Sequence, residues 1–131
     1  MENLMFKITL MAAVLAVPTL AAFAHGAPPA PSHGGLVAEG SGEDWVELVI
    51  SGDQLTVYVM DEAKNPVPST KLSGKATVLT GGKSQTVQMM PGEANSLKGK
   101  LDPAATGKVT TVLVLAVSGK PTQARFSSVQ Q

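Results

Sequence analysis

The sequence predicts an all-β domain that follows an export signal, and three features indicate this fold class. An apolar run near the amino terminus has the length and flanking residues of a signal peptide. The rest of the chain divides into short apolar, often β-branched runs separated by Gly, Pro, Asn, Asp and Ser. None of these later runs keeps the i, i+3, i+4 apolar spacing of an amphipathic helix.

Length and composition exclude several classes of protein. The chain has 131 residues, 44% of them apolar, which suits one domain rather than two. Its 10 Lys and Arg residues balance its 10 Asp and Glu residues, so no basic excess indicates a nucleic-acid partner. The absence of cysteine excludes disulfides, thiolate metal sites and cysteine nucleophiles.

Residues 1–24 are predicted to be a signal peptide. Residues 8–17 are apolar, Pro18 interrupts them, and Ala22-Phe23-Ala24 fits the small-x-small pattern of a cleavage site. The alternative is a retained membrane anchor, but this short and proline-broken segment is marginal for crossing about 30 Å of hydrocarbon. Cleavage after Ala24 predicts a periplasmic protein that begins at His25 and is not an integral membrane protein.

A flexible lead-in rich in Pro, Gly and His is predicted for residues 25–35. Three of its residues are prolines and it has no large apolar side chain, a composition typical of extended, mobile chain. A β-sandwich domain is then expected over residues 36–131.

Seven runs of residues have the composition of strands. They are 45–50, 55–60, 76–80, 85–89, 96–101, 109–117 and 124–127. Turns between them are marked by pairs such as Gly81-Gly82. About seven short strands in this length favour a small immunoglobulin-like β-sandwich. Alternation predicts a core of Val46, Leu48, Ile50, Leu55, Val57, Val59, Val78, Val87, Leu113, Leu115 and Phe126.

The two histidines of the chain are the candidate metal ligands. After cleavage His25 offers an α-amine and an imidazole that together chelate an ion, an arrangement that suits Cu(II). His33 lies eight residues later, and the flexible lead-in can bring it to the same ion. The alternatives are that His25 merely follows the cleavage site, and that His33 is exposed while its neighbouring glycines turn the chain into the first strand.

Methionine and aromatic residues have two interpretations each. Met60, Met89 and Met90 carry thioethers that bind Cu(I), but alternation places Met89 and Met90 on opposite faces, which favours core filling. Trp45 and Tyr58 share the face opposite the predicted core. They form either an exposed binding surface or a surface covered by another part of the chain.

Catalysis finds no support in the sequence. No histidine lies within a predicted strand where a carboxylate could orient it, and no glycine-rich phosphate loop opens a helix. The acidic pairs Glu43-Asp44 and Asp61-Glu62 lie in predicted turns and are expected to be solvated. The sequence therefore predicts no catalytic residue and a protein that is not an enzyme.

Between Ser32 and Leu101 the chain has five short motifs in order: His33-Gly34-Gly35, Glu47-Leu48, Tyr58 with Asp61, Asn65-Pro66-Val67-Pro68, and Pro91 with Asn95-Ser96-Leu97. This ordered set resembles small periplasmic proteins of heavy-metal efflux systems. It is also similar to the amino-terminal domain of the periplasmic adaptor subunit of cobalt–zinc–cadmium and copper efflux pumps. That family has an H-G-G opening, an E-L strand, a Y-x-x-D strand end and a P-x-x-x-x-L segment. In this chain five residues, rather than four, separate Pro91 from Leu97, so the last segment is one residue longer than that pattern.

The resemblance implies a metal-handling role, with a further departure from the family pattern. The adaptor domain has a proline-histidine pair before its last strands, where this chain has Pro103-Ala104-Ala105. His33 is therefore the one candidate ligand that the resemblance transfers. The expected function is binding or buffering of a copper or zinc ion beside an efflux system or another periplasmic protein. The alternatives are a non-catalytic interaction or structural module that uses Trp45 and Tyr58, and a carbohydrate-binding module.

Overall fold

A computed structural model of the chain describes residues 26–131, and the predicted signal peptide and His25 lie outside that range. Within it the chain forms eight strands and one short 3-10 helix, Ser69–Lys71, and no α-helix. The strands are β1 Leu36–Glu39, β2 Trp45–Ser51, β3 Gln54–Met60, β4 Leu72–Thr80, β5 Lys83–Pro91, β6 Ser96–Lys100, β7 Gly107–Val117 and β8 Lys120–Gln130. No helix in the described range has the length and apolar character that a membrane span requires.

All neighbouring strands are antiparallel and form one continuous sheet in the order β1-β2-β3-β6-β5-β4-β7-β8. The sheet curves into a nearly closed, barrel-like shape in which β1 and β8 are the two edges. The all-β prediction is confirmed. The prediction of a seven-stranded immunoglobulin-like sandwich is not confirmed. β1 adds an eighth strand, and β5 pairs with both β4 and β6, so that the strands form one sheet rather than two.

The core lies on the inner face of this sheet, and strand alternation accounts for it. Nine of the eleven predicted core residues are buried, while Ile50 and Val87 are partly buried against the others. The three methionines within residues 26–131 have different environments. Met89 is in the core, as predicted, Met60 is half-buried, and Met90 is 62% exposed, so core filling is wrong for Met90.

The β2–β3 hairpin presents the face that bears on function. Glu47 lies opposite Tyr58, and Tyr58 lies opposite Ser96 on β6. Because side chains alternate along a strand, Glu47 and Tyr58 point away from the core that Val46 and Leu48 help to form. The outer face of this hairpin is where the candidate site lies.

Candidate functional site

A single carboxylate, that of Glu47, binds the end of the lead-in to the outer face of β2. Its Oε1 accepts from the backbone N–H of Ser32 at 3.1 Å and lies 3.0 Å from His33 Nδ1. Its Oε2 accepts from the backbone N–H groups of His33 at 2.9 Å and Gly35 at 3.0 Å. The Glu47 side chain is only 6% exposed, so these four contacts replace the water that a carboxylate otherwise holds.

The Glu47 contact fixes which nitrogen of His33 carries the proton in its neutral form. An ionised carboxylate only accepts hydrogen bonds, so Nδ1 must be the donor and Nε2 keeps its lone pair. Nε2 has no hydrogen-bond partner among residues 26–131, and the His33 side chain is 41% exposed. The ring is therefore held at Nδ1, and the lone pair of Nε2 is not used by any contact within residues 26–131.

The Tyr58 ring packs against one face of the His33 imidazole. The two rings stack face to face with centroids 3.5 Å apart and planes 1° from parallel. A positive charge on the imidazole, from a proton or from a metal ion, is favoured over an aromatic face. Tyr58 and Glu47 are cross-strand partners, so the same hairpin fixes both the plane of the ring and its rotation.

The two glycines after His33 have distinct structural roles. Gly34 has a φ of +71°, the left-handed conformation that side chains disfavour. Gly35 lies against β2, where a Cβ would collide with the Leu48 carbonyl oxygen and lie 2.8 Å from a methyl carbon of Val49. The glycines therefore let the chain turn and approach β2 closely enough for Gly35 to donate to Glu47.

Two opposing effects determine the pKa of the Glu47 carboxyl. Burial raises it, because the charged form is poorly solvated there. The hydrogen bonds from the His33 side chain and from the backbone of Gly35, His33 and Ser32 favour the ionised form and together outweigh burial. The pKa is lowered from its ordinary value near 4.5, so Glu47 is a carboxylate at neutral pH.

Other motif residues close the turn that follows β3. Asp61 accepts from the backbone N–H of Asn65 through Oδ1 at 2.8 Å and donates its own N–H to the Asn65 carbonyl at 2.8 Å. Asn95 Nδ2 donates to the carbonyl of Val59 at 3.0 Å. These residues hold the chain beside β3 and contribute no donor to the histidine.

The remaining predicted positions have mixed outcomes. His25 lies outside the described residues. Trp45 is 1% exposed, and its Nε1 has no hydrogen-bond partner within the described residues, so the interpretation of Trp45 as an exposed aromatic is wrong. Asp44 is also buried, although its position in a predicted turn indicated solvation. Burial raises the pKa of the Asp44 carboxyl, against the opposing effects of Lys120 and of a hydrogen bond with Thr122.

Sequence reasoning identified His33 but missed the carboxylate that orients it. In the sequence Glu47 stands out only as part of an E-L motif. One signal is present in the sequence: a lone acidic residue in the apolar run 45–50 requires a partner if the outer face is covered. The sequence offered no means of choosing that partner, because Glu47 and His33 are 14 positions apart.

Within residues 26–131, no three His, Asp or Glu side chains are grouped closely enough to hold a metal ion together. His33 provides one donor atom, Nε2, in that range. Comparison of the chain with protein-family models, with curated proteins and with solved structures found no match. The resemblance to efflux proteins therefore depends on the motif residues alone.

Proposed function

We propose that the protein binds Cu(II) or Zn(II) in the periplasm through His33 Nε2, as an accessory to heavy-metal efflux. One observation supports this most directly: Glu47 accepts from Nδ1, which leaves Nε2 with its lone pair on a side chain that is 41% exposed. Histidine ligands in metal sites commonly donate their second nitrogen to a carboxylate, which fixes the tautomer and makes the ligand more basic.

The convergence of the motif residues also supports the proposal. The H-G-G, E-L and Y-x-x-D motifs are separate in sequence, yet His33, Gly35, Glu47 and Tyr58 form one set of contacts. Copper and zinc both accept imidazole nitrogen. His33 supplies one donor, and the proposal assigns two more to His25: its imidazole and, after cleavage, its α-amine. These three nitrogens are enough for a modest Cu(II) site and are one ligand short of a closed four-ligand zinc site.

Calorimetric titration of the protein purified from periplasm with Cu(II) and with Zn(II) tests this function. The His33→Ala variant should bind at least about 10-fold more weakly, the loss typical of removing even an outer-shell partner. His25→Ala should also weaken binding. Tyr58→Phe is the matched control, since it keeps the stacked ring and removes no proposed ligand.

Nuclear magnetic resonance of the imidazole nitrogens identifies the binding atom. Zinc should shift the His33 Nε2 resonance while Nδ1 remains protonated. Equal metal affinity of the wild type and of the His25→Ala, His33→Ala double variant would show that neither histidine is a ligand, and the proposal would then be abandoned.

A further inference from the structure

The two nitrogens of the His33 imidazole have different partners. Through Nε2 it is the proposed ligand, and through Nδ1 it joins the backbone N–H groups of Ser32, His33 and Gly35 on the Glu47 carboxylate. The two nitrogens share one conjugated ring. A cation on Nε2 makes Nδ1–H a stronger donor, and a carboxylate on Nδ1–H makes Nε2 a stronger ligand.

We infer that a metal ion on His33 fastens residues 32–35 to the β2–β3 hairpin through Glu47, so that ion binding regulates the docking of the lead-in. This inference rests on the proposed function. We call the contacts of Ser32, His33 and Gly35 with Glu47 the latch. By linkage, the factor by which a closed latch strengthens metal binding equals the factor by which the metal favours the closed latch.

The residues next to the latch limit how much of the chain detaches when the latch opens. Gly34, in its left-handed conformation, lies within it, and β1 begins at Leu36, immediately after Gly35. From Leu36 the chain is paired with β2, beginning opposite Leu48. Opening therefore detaches the lead-in up to Gly35 and leaves the eight-stranded sheet intact.

Opening also changes what the outer face presents. The imidazole that bonds Glu47 is the ring that stacks on Tyr58, so the carboxylate and the aromatic face are uncovered together. A metal-free protein with an open latch presents an acidic and aromatic surface, whereas the metal-bound protein presents the ion and the docked lead-in. The ion thereby changes the shape and the charge of one surface.

Amide hydrogen exchange with and without Zn(II) tests the latch, because zinc is diamagnetic and leaves the spectrum readable. In the wild type, saturating zinc should slow exchange at Ser32, His33 and Gly35 by about 10-fold, the factor that an outer-shell carboxylate typically contributes to metal affinity. Amides of the β4–β5 pair, on the side of the barrel-like sheet opposite β1, should not change.

Two variants open the latch by different routes. Glu47→Gln removes the carboxylate, and Gly35→Ala places a Cβ against the Leu48 carbonyl while leaving His33 and Glu47 in place. Both should lower zinc affinity by about 10-fold and abolish the zinc-dependent protection. Asp53→Asn is the matched control, because it makes the same carboxylate-to-amide change at the tip of the β2–β3 hairpin and should leave both readouts unchanged.

The outcomes separate the two proposals. Zinc binding that leaves the three amides unprotected, with full affinity in Glu47→Gln and Gly35→Ala, overturns the latch and preserves the proposed function. Failure of the wild type to bind zinc or copper overturns both. Loss of affinity in the latch variants, together with the amide protection in the wild type, supports the inference even if one of the variants does not fold.

Discussion

The two faces of the β2–β3 hairpin come from one alternating sequence but are stabilised differently. On the inner face, Leu55 and Val57 are fully buried among aliphatic side chains from most of the other strands. On the outer face, Glu47 and Tyr58 meet one specific residue, His33. Burial of apolar surface stabilises the inner face, and it does so with any apolar neighbour of suitable size. Hydrogen bonds and ring stacking stabilise the outer face, and these contacts require particular partners in particular orientations.

This difference determines what each face can do. An apolar core stabilises the fold without selecting a ligand, because burial has no direction. The outer face holds a ring at a fixed tilt and tautomer, which is the property that a metal ligand needs. Substitutions on the two faces should therefore differ in how much they destabilise the protein and in whether that effect depends on pH. Three substitutions test this difference.

The largest effect is expected on the inner face. Leu55→Ala should lower the free energy of unfolding by about 2–5 kcal/mol, because it removes buried apolar atoms and leaves a cavity. Its neighbour on the outer face provides the control: Thr56→Ala should cost only about 0.5 kcal/mol. Urea unfolding followed by the fluorescence of Trp45 measures both. Equal losses would mean that the two faces are assigned the wrong way round.

The inner face could be predicted from the sequence because its signal is local. Alternation of apolar residues over 45–50 and 55–60 identifies the buried side of each strand without knowledge of its neighbours. The same pattern does not indicate β1, because that strand has only four residues and follows a glycine pair, so the predicted number of strands is one too low. The sheet order could not be predicted, because β3 pairs with β6 across an intervening pair of strands.

The outer face could be predicted only in part. His33 was identifiable by residue type, but its partners depend on a close approach between the lead-in and β2 that no periodicity encodes. Trp45 illustrates the same limit. Alternation correctly places it opposite the core, yet the side chain is buried, because alternation does not reveal what covers the outer face.

An intermediate effect, dependent on pH, is expected at Glu47. Glu47→Gln should destabilise the protein by about 1–3 kcal/mol at pH 7, because the amide nitrogen of glutamine is a donor placed among donors. The native pKa of Glu47 is below its ordinary value, so its contribution is complete above pH 4.5. That contribution is lost as pH falls through the lower native pKa.

Urea unfolding at a series of pH values measures this effect. The difference between wild type and Glu47→Gln should shrink as the solution is acidified below pH 4.5. The other carboxyl groups, including buried Asp44, are common to both proteins and cancel in the difference. A gap that is unchanged at acid pH would show that the carboxylate charge is not what holds the lead-in.

The smallest effect is expected at the stacked pair. Tyr58→Leu replaces the ring by an aliphatic side chain and should cost about 0.5–1.5 kcal/mol beyond the loss of buried area. Tyr58→Phe keeps the ring and should cost less than about 0.5 kcal/mol. Since Tyr58→Leu also changes packing, the stacking contribution is isolated by a double-mutant cycle with His33→Ala, measured by urea unfolding. A coupling energy of zero would mean that the parallel rings lie together only because Glu47 holds the imidazole there, and that the carboxylate alone orients Nε2.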